Sequence, residues 1–330
     1  MVMKKILTFL LFVLTALELS AQDSHFSQFY SNPLYLAPSF AGSSLNSRLV
    51  LNYRDQWPSV PGTFITSSFS ADHYFPKIKS GMGLFFNLND VGGGKMTSIN
   101  VGYQYSYKIQ VTHDFFIQPG MAAYFYNRST NYGKLNFADQ FFGDEFLGST
   151  SEILPRQNVN HVDFAVSALG YSDNYWFGFN VDHLLSLSPV LNQDLEYTDL
   201  RFSFFGGVKI ITKRYFSRYK NNETLHFAFN FRNQAKVNQL DLGGYYYKRP
   251  VMIGIWYRGI PLGNQYSSSD ALIYLVGIKH AGFTFSYSYD MSLGNLIATT
   301  GGSHEISVIY SFESKFTSKR RYRAIPCPEF

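Results

Sequence analysis

Between residues 99 and 109 every second side chain is apolar or aromatic: Ile99, Val101, Tyr103, Tyr105, Tyr107 and Ile109 alternate with Asn100, Gly102, Gln104, Ser106 and Lys108. An extended chain sends successive side chains to opposite faces, so this segment presents one greasy face and one polar face. The pattern returns over 283–290, where Phe283, Phe285, Tyr287 and Tyr289 oppose Thr284, Ser286, Ser288 and Asp290. It also marks 48–57, with Arg48, Asn52, Arg54 and Gln56 against Leu49, Leu51, Tyr53 and Trp57. Followed along the chain, it predicts strands near 46–57, 62–74, 81–91, 95–110, 114–127, 160–171, 174–183, 199–213, 224–233, 237–248, 251–259, 270–279, 282–291 and 303–314. The expected count is about fourteen, an even number as single-chain bacterial barrels require.

After the first 21 residues no uninterrupted apolar stretch approaches the roughly 20 residues of a membrane helix. Alternating strands span a bilayer without such a stretch, provided that they close on themselves. Composition agrees: 18% of residues are aromatic, with 32 Phe and 25 Tyr, and only 15% are charged. Lipid-facing walls and interfacial girdles use aromatics in this way. The competing fold is a soluble β-sandwich or propeller with an aromatic core. The fold expected here is all-β, an outer-membrane antiparallel β-barrel of about 14 strands.

The opening Met1-Val2-Met3-Lys4-Lys5, the apolar run Ile6 to Leu17 and the Leu19-Ser20-Ala21 that follows read as a cleaved signal peptide of residues 1–21. An N-terminal anchor is the other reading, because Glu18 is unusual near a cleavage site, but the run is short for a span. The barrel is expected over 46–314. Its connections near Pro76, Thr112, Asp173, Pro250 and Ala281 are short, whereas 128–159, 184–198, 260–269 and 292–302 are long and rich in Gly, Asn, Ser and Asp. Short periplasmic turns and long outer loops should alternate; 214–223 is long for an inner turn and 234–236 short for an outer loop. Charge divides likewise. Lys77, Lys79, Arg214, Arg218, Lys220, Arg320, Arg321 and Arg323 fall at the inner end, and Asp90, Asp139, Asp144 and Glu152 at the outer end. A basic inner rim suits a solvated edge, anionic headgroups or an acidic periplasmic partner.

Residues 22–45 do not fit a bare barrel. Asn32-Pro33 and Pro38 exclude a regular helix or central strand, yet Phe26, Phe29, Tyr30 and Tyr35 are too many rings to leave in water. This segment, with Pro33 and Pro38, is expected to plug the inner mouth or the lumen. Residues 315–330 form a polybasic periplasmic tail ending Pro326-Cys327-Pro328-Glu329-Phe330, and the single Cys327 excludes an intrachain disulfide framework. Arg48, Arg54 and Asp290 are the candidates for a polar network in the lumen.

No motif supports an enzyme, and no catalytic residue, metal or cofactor is expected. Gly92-Gly93-Gly94-Lys95 lacks the spaced first glycine and the following Ser/Thr of a phosphate loop and joins two strands, so a hairpin turn explains it. The 8 His are scattered without metal-ligand spacing. Aromatics among basic residues recur at strand period on the face opposite the polar residues, which argues for lipid and against nucleic acid.

The stretch Gln22-Asp23-Ser24-His25-Phe26-Ser27-Gln28-Phe29 followed by Asn32-Pro33-Leu34-Tyr35-Leu36-Ala37-Pro38 resembles the N-terminus of the PorP/SprF family of type IX secretion system membrane proteins. Asn52-Tyr53-Arg54-Asp55-Gln56-Trp57-Pro58, Tyr287-Ser288-Tyr289-Asp290 and the Cys327-Pro328-Glu329-Phe330 terminus agree, although Ala37 and Ser24 replace a frequent polar residue and a frequent Pro. The resemblance implies a non-enzymatic outer-membrane accessory of Bacteroidota, set in lipid. Its implied partners are a periplasmic lipoprotein ring and secreted proteins with a C-terminal sorting domain, such as a gliding adhesin. Loops 128–159 and 184–198 are then the expected cargo readers, with Phe137, Phe141, Phe142 and Phe146 as contact candidates. The same rings folded back as a lid are the alternative. A diffusion porin or small-solute transporter is the runner-up function, and it needs an open lumen.

Overall fold

The computed structural model describes residues 23–142, 145–146, 148, 150–151, 157–187, 198–213, 223–235, 237–259, 271–293 and 300–312. The expected signal peptide, the basic tail with Arg320, Arg321 and Arg323, the inner-rim Arg214, Arg218 and Lys220, and most of loop 184–198 lie outside the described residues.

The alternating segments pair with their neighbours in the chain. The strands are β1 (Arg48–Gln56), β2 (Phe64–Phe75), β3 (Ser80–Val91), β4 (Met96–Tyr107, extended by Ile109–Gln110) and β5 (Phe116–Thr130). There follow β6 (Asn158–Tyr171), β7 (Tyr175–Asp182), β8 (Arg201–Lys213), β9 (Glu223–Gln234) and β10 (Val237–Lys248). The last four are β11 (Val251–Arg258), β12 (Ala271–His280), β13 (Phe283–Ser292) and β14 (Ser303–Ser311). Every pairing is antiparallel, and β1 closes on β14 in a continuous register from Arg48↔Ser311 to Gln56↔Ser303. The wall is therefore a closed 14-stranded barrel. Closure leaves no open strand edge, which the hydrocarbon of a bilayer requires because no water is there to satisfy backbone groups.

Side chains divide as the alternation demands. On β4, Val101, Tyr103 and Tyr107 are exposed while Gln104 and Ser106 are buried; on β13, Phe283, Phe285 and Tyr287 are exposed while Thr284, Ser286, Ser288 and Asp290 are buried. The outer surface is thus the greasy one, as lipid requires. The first and last strands begin and end at one end of the barrel. At that end lie the short turns 76–79, 172–174, 249–250 and 281–282, and the long connection 131–157 lies at the other. The 92–94 connection is a hairpin turn. Gly92, Gly93 and Gly94 all take positive φ, a conformation that glycine adopts without the strain an L side chain would bring.

Little helix is present among the described residues. Residues 29–40 form two 3-10 turns around a four-residue α-helix, Pro33–Leu36, whose first-turn proline carries no N–H to leave unpaired. No helix among them is long and apolar enough to cross a membrane.

The two-faced wall gives a depth-dependent expectation. Leu51, 51% exposed midway along β1, faces lipid, and Ile78, 52% exposed, sits on an inner turn. Leu51→Arg should destabilise the barrel by about 2–4 kcal/mol and Ile78→Arg by about 0–1 kcal/mol, measured by urea unfolding in lipid vesicles. Equal small effects at both positions would contradict a bilayer at this height.

Candidate functional site

Charged side chains gather on the inward faces of β1, β9, β10, β11, β13 and β14. Register sets Arg54 opposite Glu305 and Arg258 opposite Asp241. Arg54 Nη2 lies 2.9 Å from Asp290 Oδ2, and its Nη1 3.2 Å from Glu305 Oε2. Asp290 also receives Arg258 Nη1 at 2.9 Å; Arg258 Nε donates to Asp241 at 2.9 Å, and Arg232 Nη2 reaches the other oxygen of Asp241 at 2.9 Å. Three guanidinium groups stand against three carboxylates. The balance matters because an uncompensated ion at this burial costs several kcal/mol.

Residues 23–45 meet this network through Ser27 and Gln28. The Ser27 hydroxyl donates to Asp290 at 2.5 Å and accepts from Arg54 and, at 2.7 Å, from Arg258. The backbone N–H groups of Ser27 and Gln28 donate to the two oxygens of Glu305, at 2.7 and 3.0 Å. Gln28 Nε2 donates to Ser288 at 3.1 Å, and its Oε1 accepts from Ser286 at 2.6 Å. The two residues therefore contact four wall strands, β1, β11, β13 and β14.

The opposite wall satisfies the segment's other backbone groups. Gln104 donates to the Leu34 carbonyl at 2.8 Å, Asn180 to Leu36 at 3.2 Å, and Ser106 and Gln118 to Ala41 at 2.7 and 2.9 Å. Two wall glycines bring backbone against backbone. A β-carbon on Gly81 would stand 2.0 Å from the Ala41 carbonyl oxygen, and one on Gly120 2.3 Å from Ser39 N. Larger inward residues cover the segment's rings: Tyr30 stacks on Trp256 at 4.9 Å, Phe29 meets the same indole edge-on at 5.2 Å, and Phe40 packs on Trp176 and Phe205.

The segment runs from the outer towards the inner end. Asp23 meets the outer-end residues His183 at 2.8 Å and Arg201 at 3.0 Å, whereas Gly42 donates to Asp72 near the inner end at 2.8 Å. His183 turns both ring nitrogens to carboxylates, Nε2 to Asp23 and, at 2.6 Å, Nδ1 to Asp163. Burial alone would lower its pKa, but the charge of Asp23 and the hydrogen bonds to both carboxylates raise it to about 10, so it is an imidazolium at neutral pH. Burial alone would raise the Asp23 carboxyl; the His183 cation, with Arg201, holds it well below the usual carboxylate range.

Of the residues singled out by sequence, Arg54 and Asp290 come together, and Arg48 does not join them. It makes a separate pair with Asp72, Nε to Oδ1 at 2.9 Å, and also reaches Ser43 at 3.1 Å. Phe26, Phe29, Tyr30, Pro33 and Pro38 are buried and Tyr35 is half-buried. In the outer loop, Phe141 is exposed at 45% and Phe137 half-buried. Phe141–Phe142 pairs with Glu145–Phe146 as a short ribbon. Sequence reasoning missed Ser27, Asp72, Asp241, Arg258 and Glu305. Four of them are charged residues at inward positions of alternating strands, a signal as strong as the one that marked Arg54. Among the described residues no group of three or more His, Cys, Asp or Glu is placed to hold a metal ion.

Arg54→Leu should cost about 3–5 kcal/mol, since it leaves Glu305 without its cation in a buried site. The double variant Arg54→Leu/Glu305→Gln should recover part of that loss. Heat-modifiable electrophoretic mobility and urea unfolding read both, and a single variant as stable as the parent would contradict the network.

Comparison with solved structures finds barrels. The outer membrane protein Omp33 of Acinetobacter baumannii is 8% identical, with a TM-score of 0.44 over 82% of this chain and 100% of that one. A FadL homologue of Pseudomonas aeruginosa is 12% identical, with a TM-score of 0.41 over 81% and 90%. Likenesses this distant carry no weight for function. No curated protein sequence matches the chain. A family model described as type IX secretion system membrane protein PorP/SprF matches residues 18–310, nearly the whole barrel and the segment before it. The chain therefore belongs to the PorP/SprF family, non-enzymatic outer-membrane components of the type IX secretion system.

Proposed function

We propose that this barrel supports export or surface anchoring of one secreted protein carrying a C-terminal sorting domain, such as a gliding adhesin in a member of the Bacteroidota. In this reading residues 1–21 are a signal peptide, 22–45 a plug, 46–314 the barrel and 315–330 a periplasmic tail. The observation that carries it is the burial of residues 26–34 and 36–43 against wall strands on opposite sides of the barrel. A diffusion porin needs an open lumen; a barrel filled by its own chain works through the protein contacts of its ends.

The outer end offers loop 128–159, with Phe141 exposed, as cargo reader, and an exposed aromatic ring suits a protein contact. The inner end offers Lys77, Lys79 and Arg249 on short turns, to which the basic tail and Arg214, Arg218 and Lys220 would add. A rim of that sign favours an acidic face on the periplasmic lipoprotein ring.

Affinity purification of the tagged protein from mildly solubilised outer membranes, followed by mass spectrometry, tests this function. Recovery of a large secreted protein together with periplasmic lipoproteins is expected. Recovery of the barrel alone would overturn the proposal.

A further inference from the structure

Beside the Asp23–His183–Arg201 cluster lies a cavity that the proposed function does not use. It occupies the outer half of the lumen and is partly open to solvent. Asn87 and Asn100 face each other across β3 and β4, and Asn89 and Ser98 form the next inward pair towards the outer end. All four line the cavity, and the side-chain oxygens of the three asparagines are buried without a hydrogen-bond partner. Asn87 is only 3% exposed. A buried amide oxygen with no protein partner needs a donor from water or from a ligand, since leaving it unsatisfied costs about 1–3 kcal/mol.

Two further features narrow the ligand. The charges at this site balance: Arg128, Arg201 and the His183 imidazolium stand against Asp23, Asp163 and Asp182, with Arg201 bonded to Asp182 at 2.8 Å and to Asp23 at 3.0 Å. An anion would meet carboxylates here and a cation would meet arginines, so the site suits a neutral molecule that brings its own donors. The second feature is aromatic. Tyr126 stacks on His161 at 4.8 Å with the planes 4° apart, and both line the cavity with Tyr124 and Tyr35. Phe85 is the one side chain without a polar atom among the lining residues. A peptide strand would also bring N–H donors, but recognition of that kind uses a free sheet edge or apolar side-chain pockets, and this wall is closed.

We propose that the cavity binds a neutral sugar ring, whose hydroxyls donate to the amide oxygens of Asn87, Asn89 and Asn100 and whose C–H face lies against the tyrosines. Planar amides that both donate and accept, beside ring faces, match the paired hydroxyls and flat apolar face of a pyranose. The site lies at the outer end, where a glycan on the cell surface or on a secreted protein would meet it.

The test uses the full mature chain in a zwitterionic detergent that contains no sugar, with the methyl glycosides of glucose, galactose, mannose and N-acetylglucosamine as probes. Saturation-transfer NMR should detect saturable binding of at least one. Asn87→Leu and Asn100→Leu should each weaken it about tenfold, with heat-modifiable mobility unchanged. Failure of all four glycosides to bind the parent protein would overturn the proposal, and so would equal binding by the parent and both variants. Tighter binding of glucuronate or inorganic phosphate than of every neutral glycoside would overturn it in favour of an anion site. Because the parent protein is itself assayed, a variant that fails to fold does not blunt the test.

Discussion

Everything in this molecule follows from the absence of water in the hydrocarbon of a bilayer. Backbone groups there must be satisfied by the protein, and the β1–β14 pairing, which joins residues 48–56 to 303–311, satisfies the last of them by closing the sheet. Closure then fixes the side chains. With lipid outside, alternation sends Ser, Asn, Gln, Asp, Glu and Arg to the inside, and a polar lining needs partners. Either water fills the lumen, as in a porin, or the chain itself does.

The contacts of residues 23–45 fit the second solution in three ways. Their backbone carbonyls accept from Gln104, Ser106, Gln118 and Asn180, which would otherwise need water. Their rings meet Trp176, Phe205 and Trp256, large apolar residues at inward positions that a water-filled channel has no use for. The wall also lacks β-carbons where the backbone comes closest, at Gly81 and Gly120. A charge network of Arg54, Arg258, Asp290 and Glu305 adds direction. Buried ions of this kind contribute little net stability after desolvation but penalise any arrangement that separates them, so they specify where Ser27 and Gln28 sit.

The strands were legible because a period of two is set by local geometry alone, and all fourteen expected segments are strands within a few residues of their expected bounds. The alternation of ends held even where connection length argued against it. β9 ends at Gln234 and β10 begins at Val237 at the outer end, with Ala235 at positive φ. Partners were a different matter. Arg54 and Glu305 are 251 residues apart, and only the closing register brings them together. Arg48 and Arg54 look alike in sequence, yet six residues along a strand are roughly 20 Å, so they cannot share Asp290, and Arg48 finds Asp72. Ser27 carried no signal, since its role depends on where an irregular segment passes a network not yet assembled.

The proposed plug moves the work of the protein from its channel to its ends. That central claim is tested most directly by single-channel recording in planar bilayers, with the mature chain compared with a variant lacking residues 22–45. The mature chain should show no steady conductance, and the deletion should open a stable ion-conducting pore. A mature chain that conducts as well as the deletion variant would contradict the account.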